Sequence, residues 1–180
     1  MSNRWKRYTP GIIGEIHGGG RAVVAGFLFV GIAWLVGALG GGATIDNVTG
    51  WYAQAEKAPW TPPNEVFGPV WLVLYTLMGV AAWLVWREVG NIYRTRALLF
   101  YVIQLAVNAV WTPVFFAGFP IGGTLALWSG AVIIGVLDVL IVITMFSFAR
   151  VSMVAAWLLV PYWIWCLYAT TLNVYLAANN

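Results

Sequence analysis

Apolar residues run along this chain in long blocks, and the polar breaks between the blocks are short. Five stretches, at about 22–40, 66–86, 97–117, 123–147 and 152–176, are near or above the roughly 20 residues that a helix needs to cross a bilayer. In hydrocarbon each backbone N–H and C=O has to be satisfied within its own segment, so each stretch is expected to be a helix. The pattern predicts an all-α integral membrane protein, a bundle of five transmembrane helices. Residues 1–21 read as a basic, Gly-containing tail and 22–180 as a single membrane domain, since connections this short leave no room for a soluble one.

Composition agrees. Hydrophobic residues make up 62% of the chain and charged ones 8%, with mean hydropathy +0.84, where a soluble domain carries about 25% charged residues. The few charges are placed one-sidedly: Arg4, Lys6, Arg7 and Arg21 precede the first span, Arg87, Arg94 and Arg96 separate the second from the third, and Arg150 separates the fourth from the fifth. Lys57 alone falls on the other side. Basic residues are retained on the cytoplasmic side, which puts the N-terminus inside and the C-terminus outside. This basic set reads as a topology signal, with anionic lipid contact as a lesser alternative and no nucleic-acid partner expected. The bias fits a prokaryotic plasma membrane, favoured here over an organelle membrane. A cleaved signal peptide is the rival reading of the first span, with Ala38-Leu39-Gly40 as cleavage site, but the apolar run exceeds a signal peptide's 7–15 residues.

Reactive chemistry is sparse. Cys166 is alone in an apolar run and reads as a packing residue; His17 is alone in the tail. No His/Cys metal set, phosphate-binding glycine motif or Ser/His/Asp set is present, and no cofactor is required.

The link between the first two spans carries the densest signal. From Trp51 to Trp71 it holds three Trp, four Pro and Lys57. Pro59, Pro62 and Pro63 fix φ and remove donors, so the link is expected to be stiff, presenting Trp51, Tyr52 and Trp60 as aromatic surfaces at a membrane mouth. Within the spans, polar side chains are costly unless they face protein or a cavity. Gln104, Asn108 and Trp111 share one helix face, beside Thr112 and above a bend expected at Pro113. Two readings fit them, interhelical hydrogen bonds or a ligand-facing set, and taken alone the first is the stronger. Trp165, Ala169 and Asn173 stack similarly beyond a bend expected at Pro161, and there a pocket and simple close packing weigh equally. Asp138 is the acid deep in a span; without a titratable partner at its depth, a structural hydrogen-bonded role outweighs proton relay. Small residues at Ala33, Gly37 and Gly41, and at Ala126 and Gly130, offer close helix contacts and hint at a homodimer.

Together these pieces resemble the TspO/MBR family, the tryptophan-rich sensory proteins that include the mitochondrial translocator proteins, or peripheral-type benzodiazepine receptors. The resemblance rests on Trp51-Tyr52, Lys57, Trp60-Thr61-Pro62-Pro63, Val66-Phe67-Gly68-Pro69-Val70-Trp71 and Leu74-Tyr75. It continues in Gln104-Leu105-Ala106, Asn108, Trp111, Pro113 and Phe115-Phe116, then in Pro161-Tyr162, Trp165 and Ala169-Thr170-Thr171-Leu172-Asn173, and covers about 30–176.

The resemblance implies a five-helix bundle, often dimeric, that binds tetrapyrroles such as protoporphyrin and haem, and in some members cholesterol and benzodiazepine-type ligands. By matching position, Trp60, Asn108, Trp165, Ala169 and Leu172 should line the pocket; Trp51, Tyr52, Gln104 and Trp111 are the further candidates, with Asp138 and Asn173 as intramembrane polar residues. Lys57 is placed to meet a propionate, though a solvated role is the stronger reading. Several bacterial members carry two adjacent Trp before the Pro pair, the first tied to light-dependent porphyrin breakdown. Here Pro59 stands in its place, which weighs against an enzyme and leaves Trp60 as the residue an enzymatic role would need; a receptor or carrier is the favoured expectation, with a membrane scaffold or regulator acting through protein partners as a further alternative. The family's sterol motif wants a basic residue after the helix-five Tyr, and Leu172, Tyr175 and the terminal Leu-Ala-Ala-Asn-Asn supply none; Arg96, Phe100 and Val102 fit only its reversed form.

Overall fold

The computed structural model describes residues 15–16 and 19–180; most of the expected basic tail, with Arg4, Lys6, Arg7 and His17, lies outside them. The elements in order are β1 (Glu15–Ile16), α1 (Gly20–Thr49), α2 (Trp51–Gln54), α3 (Asn64–Arg87), β2 (Glu88–Val89), α4 (Arg94–Phe116), α5 (Phe119–Gly122), α6 (Thr124–Ala149), α7 (Met153–Leu158) and α8 (Val160–Asn179). β1 and β2 form a two-residue antiparallel ladder. Five helical segments are long and apolar enough to cross a membrane: α1, α3, α4, α6, and α7 with α8 as one broken span.

Two segments depart from the expected bounds. α1 does not stop near 40 but runs through Gly40-Gly41-Gly42 to Thr49, with Gly40 packed against Thr112 of α4, so contact between helices offsets the low propensity of glycine. The last span is interrupted rather than simply bent. Pro161 falls in the first turn of α8 and has no N–H for the carbonyl of Trp157, so the chain tightens and Leu159 N–H bonds Ala156 O at 3.2 Å.

The spans form a ring. α1 packs on α3 and α4, α4 on α6, α6 on α7 and α8, and α3 closes the circuit against α7. α3 meets the longer α8 only sparingly, so the ring is loosest between α3 and α8, on the side bridged by residues 55–63. Association of helices in lipid rests on close packing and hydrogen bonds. The backbones of α1 and α3 come close at Gly79, where a Cβ would stand 2.6 Å from Val30 Cα. Ala33 is fully buried, Gly37 lies under the Tyr75 ring and Gly130 against Phe115, as their spacing suggested; a Cβ at Gly41 would meet nothing.

Candidate ligand site between the helices

The site has a roof, aromatic walls and a polar floor. The roof is the segment after α2, extended at Ala55 and Pro63 and turned at Ala58–Thr61 by a 2.9 Å backbone bond. It is fastened to α8. Trp60 Nε1 donates to Thr171 Oγ1 at 3.2 Å, the Tyr168 hydroxyl donates to Trp60 O, and the Trp60 ring stands edge-on to Tyr175 at 5.5 Å. Asn180 grips the peptide group of Glu56, accepting from its N–H at 2.9 Å and donating to its carbonyl at 3.1 Å.

Large rings from three helices fill the loose seam beneath. Phe67 meets Trp165 edge-on at 5.8 Å, and Trp71 lies 6.0 Å from Trp111 and 6.3 Å from Tyr162. Aromatic pairs at such separations gain about 0.5–1.5 kcal/mol beyond the area they bury. Ala169 is buried in the same group as Trp111 and Trp71.

The floor is a directed hydrogen-bond chain. The Tyr75 hydroxyl donates to Asn108 Oδ1 at 2.6 Å, Asn108 Nδ2 donates to the Tyr162 hydroxyl at 3.0 Å, and Tyr162 donates to Gln104 Oε1 at 3.1 Å. One level outward, Trp111 Nε1 donates to Asn173 Oδ1 at 3.1 Å while Asn173 Nδ2 donates to Ala169 O at 2.9 Å. Three donor groups around this site are buried with no partner among the described residues: Gln104 Nε2 at the floor, Trp165 Nε1 in the wall and Thr61 Oγ1 in the roof. Buried donors left unmade cost about 1–3 kcal/mol each, so such a set favours a guest that brings acceptors.

Most of the expected residues meet here. Gln104, Asn108 and Trp111 are buried on one face of α4, and Trp165, Ala169, Leu172 and Asn173 follow on α8. Trp51 and Tyr52 are set elsewhere: Trp51 stacks on Phe119 at 4.1 Å and donates to Phe116 O at 2.9 Å, and Tyr52 is buried against Phe116 at 5.4 Å. They pin the loop to the α4–α5 turn. Burial, with Tyr168 adding to it, pushes the Tyr52 hydroxyl above the usual phenol range. Lys57 is engaged locally, donating to Ala53 O at 3.1 Å with its ammonium 5.0 Å from the centre of the Tyr52 ring. Asp138 is buried against α8, accepting from Thr170 Oγ1 at 2.8 Å, with Oδ1 unpartnered. No group of His, Cys, Asp and Glu able to hold a metal occurs among the described residues.

Sequence reasoning left Phe67, Trp71, Tyr75 and Tyr162 out of the site. The signal was present: Tyr162 lies two helical turns before Ala169 on the same face, and a Tyr deep in an apolar span needs a partner for its hydroxyl.

Fold and site together define a polytopic helical membrane protein whose bundle is closed over an aromatic seam by a structured first loop. The profile of the TspO/MBR family matches residues 29–178. The translocator protein of Homo sapiens is 38% identical over 136 residues, 72% of this chain and 75% of that protein. The tryptophan-rich protein TspO of Chlorobaculum tepidum is 37% identical over 150 residues, covering 81% and 89%. The tryptophan-rich sensory protein of Cereibacter sphaeroides is 38% identical over 123 residues, covering 68% and 72%. This chain belongs to the TspO/MBR family and is a multi-pass integral membrane protein.

Proposed function

We propose that this protein is a membrane receptor or carrier for porphyrin-type tetrapyrroles, protoporphyrin or haem, which it holds between α3, α4 and α8 beneath the first loop for transport or sensing. The observation that carries this reading is the aromatic seam of Phe67, Trp71, Trp111 and Trp165 with the unpartnered donors Trp165 Nε1, Gln104 Nε2 and Thr61 Oγ1 around it. A flat macrocycle exchanges ring-on-ring contacts for its own stacking, and its carboxylates accept from the free donors. Trp60, half exposed in the roof, meets the ligand at the mouth, which would face the outer side in the orientation that the basic residues imply.

The test is a titration of detergent-solubilised protein with protoporphyrin in the dark, followed by tryptophan fluorescence, then illumination with absorbance recorded. Saturable quenching with stable porphyrin bands is expected. Protein-dependent bleaching, abolished by Trp60→Phe, would assign an enzyme instead; no saturable quenching refutes the binding reading.

A further inference from the structure

A second site lies on the opposite, basic end of the bundle. A groove of about 210 Å³ is cut between the start of α4 and the end of α6, with Arg96 and Arg150 at its rim, Tyr93 and Ser147 beside them, and Phe100, Ile143 and Phe146 below. Arg96 rests on the Phe100 ring at 5.6 Å and Arg150 on the Tyr93 ring at 5.5 Å. Among the described residues no acceptor takes their guanidinium N–H groups, and Glu88, at this same end, pairs with neither. Arg94, by contrast, is spoken for: its Nε donates to Trp86 O at 2.8 Å.

The same seam opens again deeper in the membrane. A wholly apolar cavity of about 340 Å³ lies between Val107 and Val110 of α4 and Val132 and Val136 of α6. Arg96, Phe100, Val107 and Val110 fall on one face of α4 at three-, four- and seven-residue steps, and Ser147, Ile143 and Val136 on one face of α6, with Arg150 in line just past its end. At 1.5 Å per residue, Val107 lies about 16 Å along the helix from Arg96. Half of the hydrocarbon core is about 15 Å. A seam that begins at two ring-braced guanidinium groups and ends in an open apolar hollow one leaflet deep has the polarity and length of a single phospholipid.

We propose that the α4–α6 seam is a binding site for an anionic phospholipid of the basic-side leaflet, its phosphate held between Arg96 and Arg150 and one acyl chain laid over Phe100 into the cavity at Val107 and Val136. The groove at the rim holds about seven water volumes, enough for a phosphate and its first carbons, and the chain follows the exposed Phe146 and Val139 inward. Guanidinium braced on a ring loses little freedom on binding phosphate, and its fork matches two phosphate oxygens.

The experiment is native mass spectrometry of the full chain, counting lipid retained from mixed micelles of long-chain phosphatidylglycerol and phosphatidylcholine. The wild type should keep phosphatidylglycerol selectively. Arg96→Gln or Arg150→Gln should reduce that selectivity about fivefold and the pair about thirtyfold, the contribution of one and two basic residues at an anionic surface. Arg94→Gln removes the same charge away from the seam and should change it less than twofold. Val136→Trp fills the deep end with the charge intact and should lower retention as well. Folding of each variant is read independently from its circular dichroism. Unaltered selectivity in the double variant overturns the proposal, as does an equal loss in Arg94→Gln, which would mean diffuse attraction only. Displacement of the lipid by millimolar inorganic phosphate would likewise overturn it, since the site would then read the anion without the chain.

Discussion

Tyr162→Phe is the sharpest probe of the polar floor. The Tyr162 hydroxyl is fully buried, accepts from Asn108 at 3.0 Å and donates to Gln104 at 3.1 Å, whereas the Tyr75 hydroxyl makes one such bond, to Asn108 at 2.6 Å. Phenylalanine keeps either ring in place, including the contact of position 162 with Trp71, and removes the oxygen alone. Interhelical hydrogen bonds in membrane proteins average about 0.6 kcal/mol with a maximum near 1.7. Tyr162→Phe should therefore cost about 1.2–3.4 kcal/mol and Tyr75→Phe about 0.6–1.7, a ratio near two. The double variant loses the same three bonds as the two singles together, so a cost below their sum measures how far the chain polarises itself. Reversible unfolding of the detergent-solubilised protein in dodecyl sulfate, followed by circular dichroism, gives all three values. Equal costs for the two single variants, or both under about 0.3 kcal/mol, would refute a directed chain as a source of stability.

Three further outcomes are expected. Trp165→Ala should weaken protoporphyrin binding about threefold to tenfold, the worth of one aromatic contact, and Asn108→Leu should weaken it too, while both remain folded by circular dichroism; unchanged affinity in both removes them from the site. Gly79→Val should destabilise the bundle by about 1–3 kcal/mol in the same unfolding assay, because its Cβ meets the backbone of Val30 rather than a side chain that can turn away; a stability change under about 0.5 kcal/mol would mean that α1 and α3 slide freely. Asp138→Asn should leave unfolding within about 0.5 kcal/mol of wild type, since its amide can donate to Thr170 Oγ1 while Thr170 donates to Cys166 O, 3.0 Å away. A larger loss would mean that the acid itself is required.

The spans were legible because hydrocarbon allows so few backbone solutions that length and apolarity nearly suffice. Their ends were less so. Gly40-Gly41-Gly42 looks like a stop in water and is none in α1, while Pro161 breaks a span that hydropathy reads as continuous. The inward faces at Gln104, Asn108 and Trp111, and at Trp165, Ala169 and Asn173, could be read from helical spacing. What spacing within one segment cannot show is which faces meet. Tyr75 and Tyr162 carry the floor only because α3 and α8 bring them to Asn108, and Trp51 leaves the mouth only because Phe116 and Phe119 are near enough to take it.

The fastening of the first loop to α8 bears on time rather than on affinity. Four hydrogen bonds, two from the Glu56–Asn180 grip and one each at Thr171 and Tyr168, tie the roof down. They lie at an exposed edge, and at about 0.5 kcal/mol each the roof would stand open about 3% of the time. On the proposed function, a guest arriving at the mouth would find an admissible protein in about one encounter of thirty, and one already inside would wait on the same rare event to leave. Uptake and release would both be paced by nine residues of loop, and a change at Asn180 or Thr171 could quicken exchange without touching any group that holds the ligand.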